Sequence, residues 1–142
     1  MNPTLARAWC VALARTLTVQ HIRPNGTPYL DRYYAAGWNP KSREPGPAIY
    51  LHHFLASDPD DAVHSHPWGW SASLILVGGY REDRCGVDDH RSVREYRPGD
   101  VNVLTPETRH RITLLEGDCW SLFLAGSFDQ PWGFHPKCWP DM

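Results

Sequence analysis

The stretch HSHPWGWSASLILVGG, residues 64–79, decides how this chain is read. His64 and His66 stand one residue apart. Pro67, Trp68 and Gly69 follow as a break, and an apolar run then ends in Gly78 and Gly79. On a β-strand, residues i and i+2 point to the same face, so an H-x-H pair can bring two imidazoles toward one ion. With eight histidines in 142 residues, chance supplies such pairs readily, and the surroundings have to decide.

Working outward, the chain has the size of one domain, residues 1–142, with a single core. Apolar residues make up 42% and charged residues 21%, which describes a globular chain and excludes a disordered one. The net charge of −2 gives no reason to expect a nucleic-acid or anionic-membrane partner. No apolar stretch approaches transmembrane length. The first twenty residues lack the long apolar core and cleavage pattern of a secretory signal. Cys10, Cys85, Cys119 and Cys138 include no C-x-x-C pair. The expectation is therefore reduced thiols in a cytoplasmic protein.

Seven Trp, thirteen Pro and eleven Gly point to many turns and short strands. Leu5, Trp9, Ala12, Leu13 and Leu17 have helical spacing, so residues 1–22 are expected to be a helical segment with Pro3 near its start. Strands are expected at 29–37, 48–56, from His64 through Glu82, two or three more over 93–115, and one within 116–126. A loop is expected at 38–47, and the tail 127–142 reads as an irregular aromatic segment. One short N-terminal helix followed by eight or more short strands suggests an all-β sandwich or jelly-roll β-barrel over 29–126.

A second pattern completes the first. Gly99 opens PGDVNVLTPETRH; Pro106 follows, and His110 lies eleven residues after Gly99. Together, H-x-H, Gly78, Gly99, Pro106 and His110 resemble the two motifs of the cupin superfamily over about residues 29–126. The resemblance implies a cupin jelly-roll barrel holding one divalent metal ion, with Fe(II) favoured and Zn, Mn or Ni as alternatives. In physical terms, Gly78 and Gly99 let adjacent strands turn back, and Pro106 stiffens the turn that aims His110. Three neutral imidazoles from neighbouring strands can then converge on one ion and leave coordination positions open.

The chain departs from the cupin pattern where it matters chemically. Ser71 occupies the position of the usual glutamate, so the expected site is three histidines with no carboxylate. Such sites resemble those of the thiol dioxygenases. VHSH before a long apolar strand, Arg32 in YLDRYY, and SLFLAGSFD are similar to segments of cysteine dioxygenase. Phe123 and Ala125 stand where that family has the His and Tyr of its proton relay.

The resulting expectation is a mononuclear non-haem iron oxygenase of dioxygenase type acting on a small anionic molecule. The alternatives are a cupin isomerase, epimerase or lyase using a redox-inert metal, and a non-catalytic module that binds a small ligand. Arg32 is a candidate anion clamp, against the plainer reading of a surface arginine. Of His52 and His53, only one can face the interior. His53 shares its face with Ile49, Leu51 and Leu55 and is the one expected there. Ser71 is expected to hydrogen-bond a metal-bound water or to fill the space of the absent glutamate. Glu107 is expected at the surface, and Cys119 either lines the cavity or packs in the core. A homodimer is implied by the cupin resemblance alone.

Overall fold

The computed structural model describes residues 2–37, 46–59, 62–86 and 88–139; most of the loop expected at 38–47 lies outside them. Helix α1 (Pro3–Ala14) starts where Asn2 accepts a hydrogen bond from Thr4 N at 2.8 Å, with Pro at the first position. Its buried face is Ala6, Cys10 and Ala14, small residues four apart that let it lie close on a sheet. Leu5 and Trp9, two of the residues at helical spacing, are exposed.

The helix is shorter than expected. After a turn the chain enters an edge strand, β1 (Thr18–Ile22), where Thr, Val and Ile favour extended backbone. The strands that follow are β2 (Leu30–Gly37), β3 (Ala48–Phe54), β4 (Val63–Ser65), β5 (Ser71–Val77), β6 (Tyr80–Cys85), β7 (Arg91–Tyr96), β8 (Val101–Leu104), β9 (Arg109–Leu114), β10 (Cys119–Ala125) and β11 (Gly133–His135). They form two antiparallel sheets, ordered β1-β2-β3-β10-β5-β8 and β11-β4-β9-β6-β7. The architecture is a β-sandwich; among the described residues the barrel expected from the motifs does not close.

Both motif glycines do what their positions require. Gly78, between β5 and β6, has φ +75°, and a Cβ there would meet Asp118 O at 2.2 Å. Gly99, in the turn from β7 to β8, has φ +96°. Side-chain-bearing residues are strained at both.

Between the sheets, Leu30, Phe54, Ile75, Tyr80, Tyr96 and Ile112 pack around Cys119. Each large apolar side chain buried this way contributes about 1.5–3 kcal/mol. A second cluster, with Tyr50, Trp68, Leu104, Phe123 and Ala125, lies in the same interior. A third forms on the outer face of the larger sheet, where α1 covers Leu51, Val77 and Trp120. That sheet is therefore buried on both faces along part of its width.

The tail is more ordered than expected: β11 pairs with β4. Cys138 is disulfide-bonded to Cys85 on β6, with Cα atoms 5.8 Å apart. This corrects the expectation of four reduced thiols, and with it the argument for the cytoplasm from cysteine usage. The partners are 53 residues apart and meet only because the tail docks. Cys10 and Cys119 are free and buried. No helix among the described residues is long and apolar enough to cross a membrane.

Candidate metal centre

His64 lies on β4 directly across from His110 on β9, the two being register partners. His66 follows two residues after His64, just beyond the end of β4, and its ring returns to the same side. The three Nε2 atoms converge: His66 to His110 at 3.0 Å and His64 to His110 at 3.1 Å. Their ligand atoms form the one cluster of metal-ligating type among the described residues. His64 and His110 are buried, and His66 is half-buried.

Burial first, and the neighbouring His110 second, bring His64 down to about 4. Burial likewise holds His66 well below the ordinary imidazole range. Both rings are neutral at physiological pH, the form that binds metals.

The outer nitrogens show how the rings are held. His110 Nδ1 is 2.6 Å from Glu82 Oε1, and both groups are buried. Burial pushes the Glu82 carboxyl up, but the hydrogen bond from His110, helped by Asn102 and Arg84, outweighs it and leaves the group at about 2. A charged Glu82 places the His110 proton on Nδ1 and leaves Nε2 with a lone pair facing its two neighbours. Asn102 Nδ2 donates to Glu82 Oε1 at 3.0 Å and Arg84 lies 3.1 Å from Oε2, so the carboxylate is saturated. Behind His64, Asp58 Oδ2 stands 3.5 Å from Nδ1. Asp58 itself accepts from Tyr29 Oη and from Ile112 N. His66 Nδ1 is buried with no hydrogen-bond partner.

This donor set fits a metal ion. His110 Nε2 stands about 3 Å from both of the other Nε2 atoms, and with its proton on Nδ1 it has a single lone pair, which cannot make a full hydrogen bond to both. A cation between them removes the lone-pair repulsion, and the spacing suits metal–nitrogen bonds of about 2.0–2.1 Å.

The three histidines open onto a cavity of ≈ 280 Å³ between the sheets. Its walls include Ile22, Tyr29, Leu30, Phe54, Trp68, Leu104, Phe123 and Trp132, with Arg32, His52 and Ser73 from the larger sheet. Trp132 stacks on His64, with ring centroids 5.2 Å apart, and covers the site from the tail side. A neighbouring cavity of ≈ 240 Å³ shares Ile22, Tyr29, His64 and Trp132 with the first.

Arg32 lines the cavity, and two other positions differ from expectation. His53 points away: its Nε2 is 2.6 Å from Asp118 Oδ2, and its ring stacks on Trp120 with centroids 3.8 Å apart. His52 takes the interior place, stacked on Phe123 at 4.8 Å. Leu51 misled the alternation because it is buried beneath α1 rather than inside the sandwich. Ser71 is buried but does not line the cavity. It lies level with Ala125 and Leu104, within the packed cluster, and Ser73 on the same face reaches the open space instead. Glu107 is exposed. Cys119 packs in the core, and burial pushes its thiol up to about 12.

Glu82 escaped the sequence reading. YREDRC looks like a solvated, charge-rich strand. The available signal was alternation: Tyr80 and Glu82 share a face, and a buried tyrosine on that face turns the glutamate inward.

No family model matches the chain, and no curated protein matches its sequence. Solved structures match its fold. Fe(II)-HppE with the alternative substrate (S)-1-HPP superposes with a TM-score of 0.59 at 14% identity, covering 79% of this chain and 57% of that one. Streptomyces albus HEPD with 2-hydroxyethylphosphonate and Fe(II) bound gives 0.61 at 17%, covering 80% and 25%. The fold is cupin-like. A mutant of Bacillus subtilis oxalate decarboxylase OxdC agrees, with 0.60 at 18%, covering 81% and 29%. The chain thus spans little more than half of the HppE chain and smaller shares of the other two.

Proposed function

We propose that this protein is a metal-dependent cupin enzyme, and specifically a mononuclear non-haem iron oxygenase acting on a small organic anion. The observation that carries the reading is the convergence of three Nε2 atoms, two of them on rings that burial keeps neutral, at the wall of an apolar cavity. A structural ion has no need of an adjoining chamber, whereas a catalytic ion needs coordination positions facing one. Bound there, Fe(II) would supply Lewis acidity and redox chemistry. The HppE and HEPD structures with Fe(II) favour iron by analogy of fold.

The chain's own residues have definable tasks. His64, His66 and His110 would hold the ion, and Glu82 keeps the His110 proton on Nδ1. Trp68, Phe123 and Trp132 exclude water around the centre. Arg32 would attract and orient the anion.

Elemental analysis of anaerobically purified protein tests the metal. One iron per chain, lost in His64→Ala and in His110→Ala, is the expected result; absence of any metal from the wild-type protein overturns the reading. Oxygen uptake separates the possible chemistries. Substrate turnover without oxygen would replace the oxygenase by an isomerase or lyase, and ligand binding without turnover would leave a binding module.

A further inference from the structure

We propose that the Cys85–Cys138 disulfide is a thiol–disulfide exchange site for a dithiol, and that its redox state sets how fast the candidate metal centre exchanges its ion. Closed, it straps the tail across the ligand strand; opened, it frees one end of the strap. The proposal rests on reading His64, His66 and His110 as a metal centre and adds a control to it.

The first observation is what the tail holds. The strand that carries His64, β4, is three residues long. Among the described residues it pairs with Gly133, Phe134 and His135 of β11 on one side, and on the other only through His110 of β9. Trp132 stacks on His64 and stands in the wall of both cavities. Lifting this segment would leave β4 at a sheet edge, secured by a single register partner, with the His64 ring uncovered.

The second observation is what holds the tail. The segment 131–138 is fastened at both ends. At the near end, Gln130 Nε2 donates to His66 O at 3.0 Å and to Pro106 O at 2.7 Å. At the far end, Cys138 is bonded to Cys85, which is buried on β6 in the ligand-bearing sheet. Between them no residue is buried, and Trp132 and Phe134 are 48% and 57% exposed. Apolar burial therefore contributes little here, and a short edge strand is marginal by itself. The covalent bond is the far anchor, and without it the segment opens locally far more often.

The third observation is that the bond is placed for exchange. Cys85 is buried and Cys138 half-buried, so an incoming thiolate meets the Cys138 sulfur. Cys85 then leaves as a thiolate, and the Cys138 backbone N–H, 3.0 Å from Cys85 Sγ, donates to that sulfur. The second thiol of the dithiol displaces Cys138 from the mixed disulfide. In sum the protein disulfide takes up two electrons and two protons, and the dithiol becomes a disulfide.

The test follows Zn(II) transfer to a chromophoric chelator from oxidised wild type, from wild type reduced with dithiothreitol and desalted anaerobically, and from Cys138→Ser. Amide exchange at residues 63–65 is read on the same samples. The expected result is that all three forms take up Zn, and that the reduced protein and Cys138→Ser surrender it about tenfold or more faster than the oxidised protein. Exchange at 63–65 should quicken in the same two forms. A glutathione redox buffer should restore slow release in wild type and leave Cys138→Ser unchanged. The proposal is overturned if release and exchange are the same with the pair open and closed, or if no redox buffer closes the pair. Should Cys138→Ser fail to fold, reduced and reoxidised wild type decide. Absence of Zn uptake in every form overturns the metal-centre reading instead. Exchange at 63–65 that still follows the redox state then keeps the strap as a clamp on β4, and exchange that does not follow it removes both.

Discussion

Glu82 and His53 show how much a single side chain's partner decides. Glu82 holds a candidate ligand, His110, through a 2.6 Å contact inside the protein. Glu82→Gln keeps the shape but removes the charge that localises the His110 proton. Metal affinity, measured by competition with a chelator, is expected to fall about 10- to 100-fold; an unchanged affinity would show that His110 needs no carboxylate behind it. His53 is the contrasting case, because it packs between Trp120 and Asp118 beneath α1. His53→Ala should lower the melting temperature while leaving metal stoichiometry at the wild-type value. Loss of metal in that variant would contradict its outward orientation.

At the scale of elements, two attachments hold secondary structure to the sandwich. The first joins α1 to β10: Arg7 lies 2.7 Å and His53 2.6 Å from the same Asp118 oxygen. Burial pushes the Asp118 carboxyl up, yet these two hydrogen bonds outweigh it and hold the group at about 2. Because the folded value lies below the ordinary 3.8, the stabilisation is fully present above that value. It fades as the pH falls toward 2, and amounts to about 2 kcal/mol at neutral pH. Urea melts of Asp118→Asn against wild type should differ at pH 7 and converge near pH 2; a constant difference would assign the effect to something other than the carboxylate charge.

The second attachment is the tail. Gln130 Nε2 donates to His66 O at 3.0 Å, β11 pairs with β4, Trp132 stacks on His64, and Cys138 is bonded to Cys85. Every one of these contacts reaches the ligand-bearing sheet. Reduction with a dithiol, or Cys138→Ser, is expected to destabilise the protein by about 2–4 kcal/mol and to speed amide exchange across residues 133–135. Exchange there as slow as in the oxidised protein would mean that the strand pairing alone secures the tail.

For the molecule as a whole, metal binding at this site would be linked to folding. The three candidate ligands come from β4, the segment just after it, and β9, so an ion could bind them together only when the two strands are paired. Saturating metal should raise the melting temperature, and a chelator should lower it, by the amount that binding to the folded state alone dictates. Chelation that leaves the transition unmoved would mean the centre is empty in solution or equally available in the unfolded chain.

His64 and His66 were legible in the sequence as a pair for a local reason, and His110 through the cupin resemblance. Strand alternation puts i and i+2 on one side, and Gly78, Gly99 and Pro106 mark turns whose backbone angles few other residues accept. The resemblance put Ser71 at the position of the usual glutamate, and local strand logic located Arg32 on an early strand. It failed wherever burial came from a distant element. α1 covers the outside of the larger sheet, which moved the interior position from His53 to His52, and the packed cluster around Trp68 withdrew Ser71 and left Ser73 in the cavity. Cys85 meets Cys138, and Glu82 meets His110, across gaps that no spacing encodes. The sequence by itself determined the strand-rich fold, because alternation and turn residues act over a few positions of backbone, and the cupin resemblance added the three candidate ligands. Only the tertiary structure decided what stands behind those ligands and what lines the space in front of them, because both depend on which faces the sheets, the helix and the tail bury against one another.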